Sequence, residues 1–226
     1  MDWSLIPVAS YVFFGLFVVT SIVHLVFCYL EMEKCRKASK CFTTLFLSIA
    51  AIIAIPTHPL VYLGTLFGML GDLCLLKKHK VMPFVGGMLA FLVNHVLYIL
   101  AYMELCGTLH WGYYTGTVLY CVLFPILFYY VGRKIIHQRY LAFGGVAYFG
   151  FLVLDLIWAI IACAKGAVDY CLLCTLGAAT FIASDVFLAH TLFKKDVKRR
   201  DFFIMSTYLI AQGLIVAGLT MSFLIR

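Results

Sequence analysis

Charged side chains are scarce in this chain: Asp, Glu, Lys and Arg make up 12% of its 226 residues, whereas 65% are hydrophobic. A soluble domain covers its surface with polar and charged groups, so this composition excludes one. Alternation of apolar and polar residues is also lacking, which argues against a membrane β-barrel. The apolar residues form continuous runs instead. They predict an all-α, polytopic membrane bundle with one transmembrane domain over residues 1–226.

Acidic residues are fewer than basic ones, ten against seventeen, which gives a formal net charge of +7. The basic residues lie in short clusters between apolar runs, so they are typical of topology signals and do not indicate a nucleic-acid partner. The nine cysteines are scattered, and the CxxC of Cys171 and Cys174 has no second pair to complete a zinc site. We interpret all nine as structural. No basic stretch precedes the first apolar run, so we expect no cleavable signal peptide.

Eight apolar segments result when the chain is divided at its charge clusters. They are Pro7–Leu30, Phe42–Ile55, Leu60–Leu76, Val81–Met103, Tyr113–Val131, Tyr140–Ala164, Asp169–Phe193 and Phe202–Ile225. The second is shorter than the roughly 20 residues that cross a bilayer. It ends at Pro56-Thr57-His58-Pro59, so we interpret segments two and three as a tight helical hairpin.

Lys and Arg alternate between the loops. The loops after segments one, three, five and seven hold fifteen of the seventeen basic residues, and only Lys165 and Arg226 lie elsewhere. Because basic loops stay on the cytoplasmic side, this alternation predicts eight transmembrane helices with both termini on the non-cytoplasmic side. The expected location is the plasma (inner) membrane of a bacterium or an endomembrane of a eukaryote.

Two carboxylates lie inside apolar segments. Asp185 belongs to GAATFIASDVFLA (Gly177–Ala189), and Asp72 follows a run of glycines in segment three. A carboxylate near the middle of a bilayer costs roughly 2.5–3.5 kcal/mol, so it needs a partner or a cavity. The neighbouring small residues allow other helices to come close. With no matching Lys or Arg inside the apolar segments, a functional role for the two carboxylates is favoured over a polar lock between helices.

Depth below the basic clusters follows from a helical rise of about 1.5 Å per residue. By this measure Asp72 lies about 7 Å deep and Asp185 about 13 Å deep. Further polar candidates are Tyr208 at about 12 Å, Gln212 at about 18 Å, Asn94 and His95 at about 21 Å, Tyr98 on the stripe of His95, Ser184 beside Asp185, and Lys40 at the mouth of segment two. We expect these residues to line one cavity that opens toward the cytoplasmic half.

Other intramembrane polar residues are interpreted as structural. Asp155 is placed toward the outer end of segment six, near water and outside the site. His24 and His190 are interpreted as hydrogen-bonded packing residues. A metal held by His95 and the two carboxylates is disfavoured, because their depths spread over about 14 Å. We therefore expect no metal and no cofactor.

Four blocks of this sequence, taken together, resemble a known family. They are GTLFGMLGDLCLL (Gly64–Leu76), FVGGMLAFLVNHVLYILAY (Phe84–Tyr102), GAATFIASDVFLA, and STYLIAQGLI (Ser206–Ile215). They are similar to the signature blocks of the YhhN family, which includes the lysoplasmalogenases, integral membrane enzymes of eight helices. That family tends to have Lys-Pro at the start of helix two, whereas Lys40 is followed here by Cys41.

The resemblance implies hydrolysis of the vinyl ether bond of a lysoplasmalogen, with water as co-substrate, to a fatty aldehyde and a glycerophospho-base. This chemistry needs an acid to protonate carbon and a second group to activate water, as in carboxylate pairs that handle an oxocarbenium-like centre. Asp72 and Asp185 are the predicted acid/base pair. Tyr208, Gln212, Asn94, His95, Tyr98 and Ser184 are predicted to orient the substrate and water, and Lys40, with Lys77 or Lys78, to hold the phosphate. The partners are therefore a lysophospholipid and membrane lipid.

Two other classes of protein remain open. Intramembrane carboxylates and a histidine also serve proton-coupled transporters of small molecules or lipids, although no clear repeat is found. A lipid-binding protein without turnover would have the same cavity. Release of aldehyde by the purified protein separates the enzyme from both.

Overall fold

The computed structural model describes residues 6–76, 81–132, 139–165, 170–193 and 197–225. Within these ranges the chain forms eight α-helices and no β-strand. The helices are α1 (Val8–Tyr29), α2 (Glu33–Ala54), α3 (Pro59–Leu75), α4 (Val81–Cys106), α5 (Trp111–Gly132), α6 (Arg139–Ala164), α7 (Cys171–Phe193) and α8 (Arg200–Leu224). The prediction of an all-α protein with eight helices is confirmed.

Six of these helices are long and apolar enough to cross a membrane, by length and composition: α1, α2, α4, α6, α7 and α8. The apolar stretches of α3 and α5, Pro59–Leu75 and Trp111–Leu127, are shorter. Apolar side chains also cover much of the outer surface, where lipid chains replace water as the solvent. The chain is a multi-pass membrane protein.

Helix α2 differs from its prediction, because it begins at Glu33 and not near Phe42. The basic residues that were assigned to the preceding loop therefore lie on the first turns of α2. Its amino-terminal half is polar and its carboxyl-terminal half apolar, so hydropathy detects only the second half. The correction matters for the site, since it places Lys40 on a helix face and not in a loop.

The predicted hairpin between α2 and α3 is confirmed. Helix α2 ends at Ala54, and α3 begins at Pro59, whose ring suits the first turn of a helix, where its missing N–H leaves no bond unmade. Ser48 Oγ donates a hydrogen bond to the Tyr62 carbonyl oxygen at 3.0 Å, which ties the two helices together.

Helix α8 lies at the centre of the bundle, in contact with α1, α2, α3, α4 and α7. Its contact with α7 is closest at Gly177, where an added Cβ would lie 2.9 Å from Ile215 N and 3.0 Å from the Ala211 carbonyl oxygen. Two backbones touch at this point, as the small residues of segment seven predict. Helix α5 packs chiefly against α6 at the periphery.

Candidate active site

A cavity of about 610 Å³ opens at one end of the bundle. Five of the predicted site residues line it: Lys40, Asp72, Ser184, Asp185 and Tyr208. Most of the remaining wall is apolar, including Leu75, Phe84, Met88, Phe91, Phe149 and Met205, and charged residues gather at the mouth. A space with apolar walls and a few convergent polar groups is typical of a binding site for a small amphiphile.

Asp72 forms an ion pair across two helices. Lys40 Nζ on α2 lies 3.0 Å from Asp72 Oδ1 on α3, and Asp72 is almost fully buried. The Tyr208 side chain of α8 is a neighbour of Asp72. Neither Asp72 Oδ2 nor Tyr208 Oη, however, has a hydrogen-bond partner within the described residues. One carboxylate oxygen is therefore held by a cation, and the other is buried beside the Tyr208 side chain.

Asp185 lies on the opposite wall, on α7, and is half-buried. Tyr148 of α6 donates a hydrogen bond to Asp185 Oδ2. The two carboxyl groups, Asp72 and Asp185, are near enough for their charges to interact. Ser184 turns away and donates to the Ile204 carbonyl oxygen at 3.0 Å, so its hydroxyl joins α7 to α8. Helix packing thus brings the two predicted carboxylates to one cavity.

Behind the wall lies a hydrogen-bonded network of fully buried side chains. Tyr98 Oη donates to Gln212 Oε1 at 2.6 Å, and Gln212 Nε2 donates to Asn94 Oδ1 at 3.3 Å. Asn94 Nδ2 donates in turn to the Gly64 carbonyl oxygen at 2.7 Å. These three predicted site residues therefore satisfy one another and link α3, α4 and α8. They lie behind the residues that line the cavity and support them, and direct contact with a substrate stays a prediction.

Asp155 corrects the sequence analysis. It was placed near water at the outer end of segment six, but it is fully buried, and its Oδ2 lies 2.9 Å from His95 Nδ1. His95 packs edge-on against the ring of Phe181 at 4.4 Å, and it is near enough to Asp185 for their charges to interact. The His95–Asp155 pair is thus part of the polar interior that surrounds the site.

Tyr148 and Asp155 are the residues that sequence reasoning missed. Both lie on α6, seven residues apart, so they share one helix face, which is turned toward the interior. That spacing is the only signal in the sequence that could have found them. His24 is hydrogen-bonded as predicted, with its Nδ1 2.7 Å from Ser39 Oγ and its Nε2 3.4 Å from Cys28 Sγ, but it also lines the cavity. His190, which was predicted to be a packing residue as well, is exposed.

Glycines on α3 make room for the polar side chains. An added Cβ at Gly68 would lie 3.1 Å from Gln212 Nε2 and 3.4 Å from Tyr208 Oη. At Gly64 it would lie 2.7 Å from the Tyr98 ring. The glycine run before Asp72 therefore lets tyrosine and glutamine side chains reach α3.

Within the described residues, no group of three or more His, Cys, Asp or Glu side chains comes together to hold a metal ion. Lys77 and Lys78, which were predicted to contact the phosphate, lie outside the described residues. The other predicted phosphate ligand, Lys40, has Asp72 as its partner.

The fold and the cavity define a multi-pass helical membrane protein whose interior polar residues are gathered around one amphiphile-sized space. The chain belongs to the YhhN family, because the sequence profile of that family matches residues 35–219. The four resembling blocks lie inside this range. Comparisons with curated proteins and with solved structures give no match.

Proposed function

We propose that this protein hydrolyses the vinyl ether bond of lysoplasmalogens, as the lysoplasmalogenases of the YhhN family do. The observation that supports the proposal most directly is that Asp72 and Asp185, from different helices, line the same largely apolar cavity. A lysophospholipid has one long chain and one polar end, and this cavity has apolar walls and a charged mouth.

The reaction requires a proton on carbon before water can attack. Protonation of the β carbon gives an oxocarbenium ion, and water adds to the α carbon while a base removes its proton. The hemiacetal then collapses: the base returns its proton to the glycerol oxygen, the hemiacetal hydroxyl gives its proton back to the acid, and an aldehyde and a glycerophospho-base leave. One acid and one base therefore suffice, and general acid–base groups of this kind contribute about 100-fold or more each.

We assign the base to Asp72 and the acid to Asp185. Lys40 compensates a negative charge on Asp72, whose second oxygen has no partner within the described residues. Asp185 has a neutral phenol, Tyr148, as its hydrogen-bond partner, where Asp72 has a cation. Asp72 would then receive the proton of water while Asp185 delivers one to the alkenyl carbon. Tyr208, next to Asp72, would orient that water.

The test is release of aldehyde from lysoplasmenylethanolamine by the purified protein in detergent. Asp72→Asn and Asp185→Asn should each lower the rate by about 100-fold or more. Glu104→Gln is the matched control, since Glu104 is an acidic residue that does not line the cavity. Rates near that of the unchanged protein in both folded Asp variants contradict the assignment.

Product analysis then separates the classes of protein. The acyl lysophospholipid of the same headgroup has no vinyl ether and should release no aldehyde. If the purified protein releases none from either lipid but moves lipid or solute into proteoliposomes, it is a transporter and the hydrolase proposal is wrong.

A further inference from the structure

A second, smaller cavity of about 380 Å³ adjoins the mouth of the first. The two cavities share Glu33, Arg36, Arg200 and Asp201. We call the smaller cavity the mouth pocket; its other lining residues are Cys28, Glu31, Val197, Lys198 and Arg199. Its wall is charged, whereas the main cavity is largely apolar. A ligand that fills the main cavity with its chain would therefore meet the mouth pocket with its polar end.

The mouth pocket carries both signs of charge, with positive charge concentrated around one carboxylate. Arg36 on α2 forms an ion pair with Asp201 on α8, and Arg200 Nε also lies 3.5 Å from Asp201. Two guanidinium groups around one carboxylate leave an excess positive charge, and arginine donors match the geometry of phosphate oxygens. On the negative side, Glu31 and Glu33 line the same pocket, and Glu33 is also paired with Lys37 of the next turn.

The backbone of the mouth pocket is held in an uncommon conformation. Among the described residues, two non-glycine residues have positive φ, Glu31 at 57° and Arg199 at 59°, and both line this pocket. Such conformations are costly and persist where the surrounding structure fixes them, often at ligand-binding sites. The Arg199 guanidinium lies 3.8 Å from the centre of the Tyr29 ring, which fixes one side of the pocket.

The distance from the mouth pocket to the carboxylates matches the length of a glycerol backbone. Arg36 and Lys40 are four residues apart on α2, so they are separated by about 6 Å of helical rise. Lys40 contacts Asp72 at 3.0 Å. In a lysoplasmalogen, three glycerol carbons and one oxygen separate the vinyl ether oxygen from phosphorus. These five bonds of about 1.5 Å each span roughly 6 Å when extended, because the chain zigzags at its tetrahedral atoms. A vinyl ether at Asp72 therefore places the phosphate near Arg36.

We propose that the mouth pocket binds the zwitterionic phosphoamine headgroup of a lysophospholipid, with the phosphate at Arg36 and Arg200 and the ammonium group at Glu31 and Glu33. The proposal rests on the proposed function for the bond that is cleaved, but the binding of the headgroup stands by itself. It also transfers the predicted phosphate contact from Lys40 to Arg36, one turn nearer the mouth on α2, and to Arg200 of α8.

The experiment measures binding of lipids that the enzyme cannot cleave, by native mass spectrometry of the full chain. The probes are a saturated alkyl-ether lysophosphoethanolamine, the same lipid with phosphate alone as headgroup, and the alkylglycerol without phosphate. The unchanged protein should bind the phosphoethanolamine lipid at least ten-fold more tightly than the alkylglycerol, because each charge-assisted contact is worth about that factor.

Arg36→Gln and Arg200→Gln should each reduce this preference by about ten-fold. Lys34→Gln is the matched control, since it removes one positive charge from the same turn of α2 but does not line either cavity. Glu33→Gln should weaken the binding of the phosphoethanolamine lipid more than the binding of the phosphate-only lipid. An unchanged preference in both arginine variants, or an equal loss for the alkylglycerol, overturns the proposal.

One further outcome distinguishes a lipid headgroup from a soluble phosphate ester as the ligand. Another distinguishes failure of the headgroup proposal from failure of the hydrolase proposal. Free phosphoethanolamine that binds as tightly as the lipid overturns a lipid headgroup site in favour of a site for a soluble phosphate ester. If the variants change lipid preference as expected but no aldehyde is released from lysoplasmenylethanolamine, the hydrolase proposal is wrong and the headgroup site stands.

Discussion

Two histidine–carboxylate pairs in this protein have similar geometry but different surroundings. His95 and Asp155 are 2.9 Å apart and almost fully buried, with side chains 1% exposed. His58 and Glu104 are 2.8 Å apart, where the start of α3 meets the carboxyl-terminal end of α4, and remain 27% and 42% exposed. Because water competes for exposed pairs and not for buried ones, the two pairs should contribute very different free energies.

Asp155→Leu should lower the free energy of unfolding by about 2 kcal/mol or more, because it leaves His95 Nδ1 without its partner in a dry interior. Glu104→Leu, the matched control, should cost about 1 kcal/mol or less. Both are measured by thermal unfolding of the purified protein in detergent. Equal losses in the two variants contradict the structural role given to Asp155.

The wrong prediction for Asp155 shows which property of a single residue the sequence does not determine, namely the direction in which its side chain points from the helix. Depth along a helix follows from counting residues, which is why Asp72 and Asp185 could both be assigned to the halves of their helices that adjoin the basic clusters. The direction in which a side chain points depends on the rotation of the helix, and α6 is apolar on every side, so its pattern does not define a buried face. The pairing of Asp155 with His95 requires the packing of α6 against α4.

At the scale of helices, the sequence predicts that a helix is present more accurately than it predicts the residues at which that helix begins and ends. All eight helices were predicted from continuous apolar runs, because no other pattern in these segments indicates a different secondary structure. Helix α2 is the exception, because its first turns carry Lys34, Arg36, Lys37 and Lys40 and resemble a loop. Tertiary contacts keep this polar stretch helical: Arg36 pairs with Asp201 of α8, and Lys40 with Asp72 of α3. A helix whose charges are paired by its neighbours cannot be recognised by hydropathy alone.

The contact between α7 and α8 depends on Gly177. A Cβ there would lie within 3.0 Å of backbone atoms of α8, which cannot move aside as a flexible side chain can. Gly177→Ala should therefore force the helices apart and destabilise the protein by about 1–3 kcal/mol. Gly116→Ala on α5 is the control, since nothing lies within 4 Å of the added atom, and it should be neutral or stabilising by up to about 1 kcal/mol.

Thermal unfolding in detergent measures the difference in stability between Gly177→Ala and Gly116→Ala. The rate of aldehyde release is a second measurement. Because Ser184 and Asp185 lie two turns from Gly177 on the same helix, a shift of α7 should also displace a wall of the cavity. A Gly177→Ala variant as stable as Gly116→Ala contradicts the close contact.

Most charged residues that the structure describes lie at one end of the bundle. Successive helices run antiparallel, so the carboxyl-terminal ends of α3 and α7 meet the amino-terminal ends of α2, α4 and α8. Residues from all five ends line the main cavity, among them Arg36, Leu76, Phe84, Ala189 and Arg200. The cavity therefore opens where the basic clusters lie. If these clusters face the cytoplasm, a lipid that enters the cavity would come from the cytoplasmic leaflet.

Reporter fusions test this orientation for the whole chain. We expect alkaline phosphatase fused after His110, in the α4–α5 connection, to be active in a bacterial host, because that connection is on the non-basic side and should be exported. Fused after Lys198, in the basic α7–α8 connection, it should be inactive, whereas green fluorescent protein should fluoresce there and not after His110. The two reporters control for each other's expression. The reverse pattern would put the cavity mouth, and with it the arginines of the mouth pocket, on the exterior face, and it would overturn the orientation inferred from the fifteen clustered basic residues.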